Sequence, residues 1–416
     1  MRRLQQLILV TSALWMHVSF AQPLPQSRPE SVGLSSQRLE RIADAMEREI
    51  DAERMPGAIV AIARQGKLAY FETFGYLDRE AGVPMSEDAI FAIASMTKPI
   101  FSVAALSLYE EGRMLIDDPI SAYLPILADR HVAVDGDLSQ PLPARRQPTL
   151  RDMMRHTSGY PGTTGGSAVH ERVRQLDTTT MSANEYLEAL APIPLYHQPG
   201  TVWDYSLGFN LLGLAMEQVT RQPIETFLSD RIFEPLGMRD THFTVPREKS
   251  SRLAKALPND PLTGDPQQTR DQTVPLGINC GSGCLASTAS DYLAFAQMLL
   301  NRGELNGERI LSPQTVDYMT ANHIAPNIDM SLLDLYPSLH NEGYGYGLGV
   351  AVRRADGLGG MPASAGEYHW YGAQGTAFWV DPEEELVVVF MAQTPGVIRE
   401  RNRQLIPALV YQALTD

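Results

Sequence analysis

The stretch Phe91-Ala-Ile-Ala-Ser95-Met-Thr-Lys98-Pro-Ile-Phe101 decides how the rest of the sequence is interpreted. Ser95 and Lys98 are three residues apart, so on a helix their side chains share one face. A serine hydroxyl is a weak nucleophile that needs a neighbouring base, and a lysine amine serves once burial lowers its pKa. The alternative is a helix-capping serine beside a solvated lysine. The apolar residues on both sides favour a buried lysine and therefore a reactive pair.

Lysine is rare in this chain, which has four lysines among its 34 lysine and arginine residues: Lys67, Lys98, Lys249 and Lys255. Arginine does not give up its proton in a protein, whereas lysine does so when its environment disfavours the charge. A lysine kept at position 98 therefore indicates that amine chemistry is used there.

Two further stretches can complete a reaction site around this pair. Tyr205 precedes a predicted helix, and a phenol at a helix N-terminus near an ammonium can relay protons. Trp370-Tyr371-Gly372-Ala373 leads into a predicted strand, where a backbone N–H can supply half of an oxyanion hole and the N–H of Ser95 the other half. Each stretch has a structural alternative: a tyrosine packed at a helix start, and a glycine-containing turn that enters an edge strand.

Composition and motifs argue against several other classes of protein. The net charge of −15 and the lack of a basic run disfavour nucleic-acid binding. The sequence contains no Gly-x-Ser-x-Gly, no His-Glu-x-x-His and no Gly-x-x-x-x-Gly-Lys, so we expect no α/β-hydrolase triad, no metal and no cofactor. Cys280 and Cys284 cannot form a zinc site alone. They form either a disulfide or two buried thiols in a glycine-rich turn.

The N-terminus has the pattern of a secretory signal peptide over residues 1–21. Arg2 and Arg3 form a positive region, Leu7–Phe20 is mostly apolar, and the small residues up to Ala21 suit cleavage there. The alternative is a membrane anchor, but the run is shorter than the roughly 20 apolar residues that a spanning helix needs. We therefore expect a secreted or periplasmic protein whose mature chain has no membrane span.

Predicted strands lie near both ends of the chain, and predicted helices fill its middle. The strand candidates are residues 58–63, 68–71, 347–352, 376–380 and 386–391. Residues 117–148 are rich in proline and aspartate and are predicted as loop. The sequence therefore predicts an α/β (α+β) architecture, with a mainly antiparallel sheet flanked by helices and built from both chain ends. We assign residues 22–100 and 280–416 to this domain and residues 101–279 to a mainly helical second domain, with the site in a cleft between them.

Taken in order along the chain, these motifs resemble those of the serine β-lactamase and penicillin-binding-protein superfamily, whose signature includes Ser-x-x-Lys. The similarity is greatest to the class C-like branch that includes the family VIII carboxylesterases. It is carried by Ser95-Met-Thr-Lys98, the stretch Leu150–Gly159 with its His-Thr-Ser-Gly, Tyr205-Ser206, Gly281–Asp291, and Trp370-Tyr-Gly372 leading into Phe378-Trp-Val-Asp-Pro382. The resemblance implies a β-lactamase-like fold in which Ser95 attacks a carbonyl while Lys98 and Tyr205 move the proton. It also implies that the N–H groups of Ser95 and Ala373 hold the oxyanion, and that water or another acceptor releases the acyl group.

Two departures from the family pattern bear on the substrate. Leu207 stands where many members have the Asn of Tyr-x-Asn, and Trp370-Tyr371-Gly372 replaces Lys-Thr-Gly. Both changes remove polar groups that hold a β-lactam, while Trp370 offers an apolar wall for acyl or aromatic ester groups. With Tyr160, these residues form the expected substrate pocket.

The expected function is that of a secreted carboxylesterase acting on short-chain or aromatic esters through an acyl-enzyme. A D-amino-acid peptidase or amidase, an acyltransferase and a weak β-lactamase on the same site are the alternatives. A protein that binds cell-wall peptide without turnover is a further one. The expected partner is a small-molecule ester or amide, and the sequence predicts no oligomeric state.

Overall fold

The computed structural model describes residues 24–162, 165–335 and 343–415. The predicted signal peptide, residues 1–21, lies outside the described residues. Within these three ranges, no helix combines the length and the hydropathy that crossing a bilayer requires.

The described residues contain both strands and helices. The strands are β1 (Gly57–Arg64), β2 (Lys67–Asp78), β3 (Val83–Pro84), β4 (Phe91–Ala92), β5 (His131–Val134), β6 (Asp137–Pro143), β7 (Ala286–Ser287), β8 (Glu304–Leu305), β9 (Glu308–Arg309), β10 (Tyr344–Tyr346), β11 (Ala351–Arg353), β12 (Tyr368–Tyr371), β13 (Ala377–Asp381) and β14 (Leu386–Ala392). The helices are α1 (Ser36–Asp51), α2 (Thr97–Glu110), α3 (Leu150–Met154), α4 (Ala168–Arg174), α5 (Ala183–Leu190), α6 (Gly208–Thr220), α7 (Ile224–Leu228), α8 (Glu234–Leu236), α9 (Ala289–Leu300), α10 (Pro313–Met319) and α11 (Ile398–Tyr411). The protein is therefore of mixed α/β class, as predicted.

One antiparallel sheet of eight strands forms the centre of the α/β part, in the order β10-β11-β12-β13-β14-β1-β2-β3. β1 pairs with β14 along its length, with Ala58 opposite Ala392 and Arg64 opposite Leu386. This pair joins the two ends of the chain in one sheet, which confirms the predicted architecture. The proposed domain boundaries remain a prediction, and α2 runs across the one at residue 100.

Helices cover both faces of this sheet. Every residue of β1 and β14 is buried, and because side chains alternate between the faces of a sheet, both faces need apolar cover. α9 contacts β1, β13 and β14, while α1 packs against α11 and contacts β1 and β2. The core of the α/β part thus lies in the layers above and below the β1–β14 pair.

α2 and α6 lie inside the molecule and carry the chain on either side of the site. Residues Thr97–Leu108 of α2 and Gly208–Met216 of α6 are all buried, as expected for helices that are apolar on every side. The two helices pack against each other, and α3 packs against α6. Capping boxes start α3 after Thr149 and α5 after Ser182, as their Thr-x-x-Asp and Ser-x-x-Glu sequences predict.

Two details of the predicted secondary structure are wrong. Residues 117–148, predicted as loop, contain the β5–β6 hairpin, whose Asp135 and Gly136 both have positive φ, the turn conformation that Asp-Gly favours. Residues 347–352 are not one strand, because β10 ends before them and β11 begins at Ala351. The strand that follows Ala373 lies inside the sheet, between β12 and β14, so the structural alternative of a turn that enters an edge strand does not hold.

Candidate active site

Ser95 lies in a tight turn just before α2. Residues Ala94–Met96 form a short 3-10 turn, and Ala94 has a φ of +44°, which costs a non-glycine residue about 1 kcal/mol or more. Ile93 holds this turn, because its N–H donates to Leu285 O and its carbonyl accepts from the Met96 N–H, each at 3.0 Å. The backbone that carries Ser95 is therefore fixed by its neighbours rather than by local preference.

Lys98 lies in the first turn of α2 with its amine near Ser95. Its Nζ is 3.3 Å from Ser95 Oγ and donates a hydrogen bond to the carbonyl of Ser282. The residue is 1% exposed, and burial lowers the pKa of Lys98 well below its ordinary value. No carboxylate among the described residues lies against this amine to restore its charge. Burial therefore shifts the amine toward its neutral form, which is the form that accepts a proton.

Tyr205 brings its ring over the same amine. The ring centroid is 4.4 Å from Lys98 Nζ, and the rings of His156 and Trp370 pack against it at 4.5 and 5.7 Å. His156 is fully buried, and its Nδ1 accepts a hydrogen bond from the Ser206 N–H at 3.3 Å. Burial lowers the pKa of His156 well below its ordinary value, so a neutral histidine holds the backbone next to Tyr205. The three predicted catalytic side chains thus lie together.

The turn between β12 and β13 carries the second predicted oxyanion donor. A hydrogen bond from the Gly375 N–H to Gly372 O, at 3.0 Å, closes this turn. A Cβ on Gly372 would overlap with the carbonyl oxygen of Ile93, so glycine lets the turn touch the segment that leads into Ser95. Within the described part of the chain, the N–H groups of Ser95 and Ala373 donate to no acceptor. Both are available to a ligand.

The residues predicted to line the substrate pocket are largely buried, with exposures of 1%, 8%, 4% and 8% for Tyr160, Leu207, Trp370 and Tyr371. Trp370 packs on the ring of Tyr205 and so joins the catalytic group. Tyr371 lies under the guanidinium of Arg403 at 4.6 Å, and Tyr160 under that of Arg130 at 5.3 Å. The structure therefore brings Trp370 to the site and engages the rings of Tyr371 and Tyr160 with arginines, and the role of these two rings in binding remains a prediction.

Ser282 is a site residue that the sequence does not single out, although its carbonyl accepts the hydrogen bond from Lys98. Its N–H donates to Asn210 Oδ1 at 3.0 Å, and a disulfide between Cys280 and Cys284 closes the loop around it. Gly281, the residue before Ser282, has no room for a Cβ. This glycine is the feature of the sequence that indicates a tightly packed loop. Through these two hydrogen bonds, the loop bridges Lys98 on α2 and Asn210 on α6.

The acidic residue next to Tyr205 pairs with a histidine rather than with Lys98. Asp204 Oδ2 lies 3.6 Å from His197 Nε2, and the Asp204 N–H donates to the carbonyl of His156 at 2.8 Å. Among the residues that the structure describes, no three His, Cys, Asp or Glu side chains gather in a way that would hold a metal ion. The site therefore offers a hydroxyl, a neutral amine, a phenol and two backbone donors.

The eight-stranded antiparallel sheet with helices on both faces, and a Ser-x-x-Lys pair at the start of a buried helix, are the architecture of the β-lactamase-like proteins. A family model described as beta-lactamase matches residues 42–410. The chain therefore belongs to the beta-lactamase family, as its sequence motifs predict.

Known proteins of similar sequence and structure agree with this assignment. Protein Rv1367c of Mycobacterium tuberculosis is 35% identical over 352 residues, which cover 82% of this chain and 87% of that protein. Esterase EstB of Burkholderia gladioli is 30% identical over 376 residues, which cover 86% of this chain and 90% of EstB. The solved structure of EstCE1 is described as that of a hydrolase with promiscuous acyltransferase activity. It matches this chain with a TM-score of 0.74 at 24% identity, and the match covers 91% of this chain and 99% of the EstCE1 chain. At that identity, the EstCE1 likeness establishes the fold.

Proposed function

We propose that this protein is an exported serine hydrolase, a carboxylesterase that acts through an acyl-enzyme on Ser95. The observation that carries the proposal is the buried amine of Lys98, which lies 3.3 Å from Ser95 Oγ and has no carboxylate against it in the described residues. An amine in that state can take the hydroxyl proton. The signal-peptide pattern of residues 1–21 supports export.

In the first half-reaction, neutral Lys98 accepts the proton of Ser95 while Oγ forms a bond to the ester carbonyl carbon. The carbonyl electron pair moves to its oxygen, which accepts hydrogen bonds from the N–H groups of Ser95 and Ala373. When the carbonyl re-forms, the bond to the alcohol breaks. The proton then passes from the Lys98 ammonium, by way of the Tyr205 phenol, to the departing oxygen.

In the second half-reaction, a water molecule loses its proton to the Lys98–Tyr205 pair and attacks the acyl carbon. The same two N–H groups hold the new oxyanion, and Ser95 Oγ leaves with the proton. An alcohol in place of water would give acyl transfer, which is the second candidate function. The description of EstCE1 as a hydrolase with promiscuous acyltransferase activity favours keeping this candidate.

The proposed substrates are esters of short-chain or aromatic acids. Leu207 and Trp370 supply apolar groups at positions where polar groups hold a β-lactam in the families that the sequence resembles. The similarity to a protein named Esterase EstB supports the same substrate class. An ester also has a better leaving group than an amide, so its cleavage demands less from the proton relay.

Intact-mass measurement after incubation with a fluorophosphonate tests the nucleophile. We expect one adduct per chain, located on Ser95 by peptide mapping and absent from Ser95→Ala. Ser290→Ala, which changes an exposed serine at the start of α9, is the matched control and should be labelled like the wild type. An adduct on a different serine, or undiminished esterase activity in Ser95→Ala, would overturn the assignment.

A side-by-side assay with p-nitrophenyl butyrate, nitrocefin and a D-Ala-D-Ala peptide tests the substrate class. We expect turnover of the ester, weak or no hydrolysis of nitrocefin and none of the peptide. Preferred turnover of the peptide would replace the esterase proposal with a peptidase on the same residues. Turnover of none of the three, in protein that a fluorophosphonate does not label, would leave only the binding role.

A further inference from the structure

The peptide group between Gly372 and Ala373 has two polar ends. Its N–H is the donor that the proposed function assigns to the oxyanion, and its C=O belongs to Gly372. Because the peptide group is planar and conjugated, whatever holds the oxygen also sets the direction of the N–H. A donor bound to the oxygen also strengthens the N–H as a donor, since hydrogen bonds along one chain polarise each other.

The oxygen end of this peptide group is held by a side chain from α11. Arg403 Nη2 donates a hydrogen bond to Gly372 O at 2.9 Å, in addition to the bond from the Gly375 N–H. The guanidinium lies 4.6 Å from the ring centroid of Tyr371 and pairs with Glu400 Oε1 at 2.6 Å. Its side chain is 10% exposed, so this charged donor works in a largely water-free place, where charge-assisted bonds are strongest.

We propose that Arg403 is a positioning residue for the oxyanion site: it fixes the plane of the Gly372–Ala373 peptide group and polarises its N–H. The inference rests on the proposed function, since it matters only if Ala373 donates to the oxyanion. Rotation of this peptide group would break the bonds from both Arg403 and Gly375. The positive charge bound at the oxygen end makes the N–H a stronger donor when negative charge develops on the substrate.

The other oxyanion donor is held in a different way. Its peptide group joins Ala94 to Ser95, and the Ala94 carbonyl accepts from the Thr97 N–H at the start of α2. Among the described residues, that carbonyl has no guanidinium partner. One donor is therefore fixed by backbone alone, whereas the other depends on a side chain that a substitution can remove.

Arg403→Met and Arg403→Lys test this role, with p-nitrophenyl butyrate as substrate. We expect Arg403→Met to lower kcat by about 10- to 100-fold with KM within about twofold, somewhat less than removal of an oxyanion donor itself. Arg403→Lys keeps a charged donor at the same place and should recover most of the loss. Arg401→Met is the matched control, because Arg401 lies on the same helix and pairs with Glu49 at 2.9 Å; its kcat should equal that of the wild type.

The carbonyl stretching band of the acyl-enzyme separates this role from general loss of structure. Trapped with a slowly released aromatic ester, the wild-type acyl-enzyme should show a polarised carbonyl at low wavenumber, and Arg403→Met should move the band higher. Arg403→Lys should give an intermediate position and also covers the case in which Arg403→Met does not fold. The inference would be wrong if Arg403→Met left both the band and kcat unchanged, or changed KM alone. Ser95 would remain the proposed nucleophile in either case. Failure of the wild type to form any acyl-enzyme on Ser95 would overturn the inference together with the proposed function.

Discussion

Lys98 and Arg353 are buried to nearly the same extent, at 1% and 2% exposure, but the groups that surround their cationic ends differ. Arg353 Nε lies 3.7 Å from Glu367 Oε2, and its Nη2 donates to Tyr344 Oη at 2.9 Å and to a backbone carbonyl. Lys98 has a carbonyl and a hydroxyl beside its amine and, in the described structure, no carboxylate. One cation is compensated and the other is not.

This difference separates a structural cation from a base. An isolated buried ammonium is so costly that the group loses its proton instead, whereas a guanidinium keeps its proton and must be paired. Burial without a counter-ion therefore favours the role of base that we propose for Lys98. Arg353, buried to the same extent, can only hold Glu367 and the strands around it.

The largest effect is expected from Lys98→Arg, which restores a fixed charge at the uncompensated position. Arginine cannot accept the Ser95 proton, so we expect kcat for p-nitrophenyl butyrate to fall by about 10³- to 10⁴-fold. Lys255→Arg, on an exposed lysine paired with Asp78, is the matched control and should keep full activity. A near-normal rate in Lys98→Arg would remove the amine from the role of base.

The pH dependence of kcat/KM tests the proposed role of Lys98 in a second way, through the protonation of its amine. The reactive amine is neutral, so activity is full above the folded-state pKa of Lys98 and is lost as the pH falls through it. Because burial lowers that pKa below its ordinary value of 10.5, we expect the acid limb well below pH 10.5. The residual activity of Lys98→Arg should lack this limb, and a wild-type limb near the ordinary value of lysine would contradict the assignment.

Glu367→Gln removes the negative charge that compensates the buried guanidinium of Arg353. Glu367 is fully buried; its carboxylate lies 2.8 Å from His369 Nδ1, accepts from Tyr344 Oη at 3.2 Å, and is the acid nearest Arg353. Glutamine keeps the shape but removes the charge, so Arg353 is left buried without a counter-ion. We expect a loss of about 3 to 5 kcal/mol in the free energy of unfolding, measured in urea.

Two further variants decide whether charge is the cause. Glu72→Gln changes an exposed glutamate on β2 of the same sheet and should shift the stability by less than about 0.5 kcal/mol. Arg353→Met combined with Glu367→Gln removes both charges and should recover a large part of the loss. If the double variant is as unstable as Glu367→Gln alone, packing rather than charge explains the effect.

The Ser95–Lys98 pair and the Arg353–Glu367 pair also differ in how well the sequence predicts them. Ser95 and Lys98 are three residues apart with apolar neighbours on both sides, so their contact and burial follow from local spacing. Arg353 and Glu367 meet because the Arg353 N–H donates to the Glu367 carbonyl across neighbouring strands. Strand register is a property of the folded sheet, and no local pattern specifies that pair.

The remaining site residues fall between these cases. Tyr205 is a candidate from its place before a helix, but only the motif resemblance joins Tyr205 and Ala373 to Ser95, because residues so far apart along the chain come together only through the fold. Ser282 was missed, since it contributes a backbone carbonyl and a carbonyl carries no residue-type signal. The β5–β6 hairpin was missed although Asp135-Gly136 is a recognised hairpin turn, because the exposed, proline-containing β6 lacks the apolar alternation typical of a strand.

The smallest effect is expected at the loop that supplies the neutral partner of Lys98. Removing the disulfide by Cys280→Ser with Cys284→Ser frees the loop around Ser282, and we expect a loss of about 2 kcal/mol in the free energy of unfolding. The Ser282 carbonyl directs one N–H of the neutral amine, which leaves the lone pair for the Ser95 proton. We therefore expect kcat to fall by about 3- to 10-fold as that carbonyl moves, an effect near 1 kcal/mol.

Dithiothreitol provides the control for this last variant, because it should lower the wild-type kcat to the level of the double variant and leave the double variant itself unchanged. Reoxidation of the reduced wild type should restore the rate, which a merely unfolded protein would not do. If the double variant loses stability but keeps the wild-type kcat and acid limb, then the bond from Ser282 N–H to Asn210 is enough to hold the carbonyl. The amine would then owe its orientation to α6 and not to the disulfide.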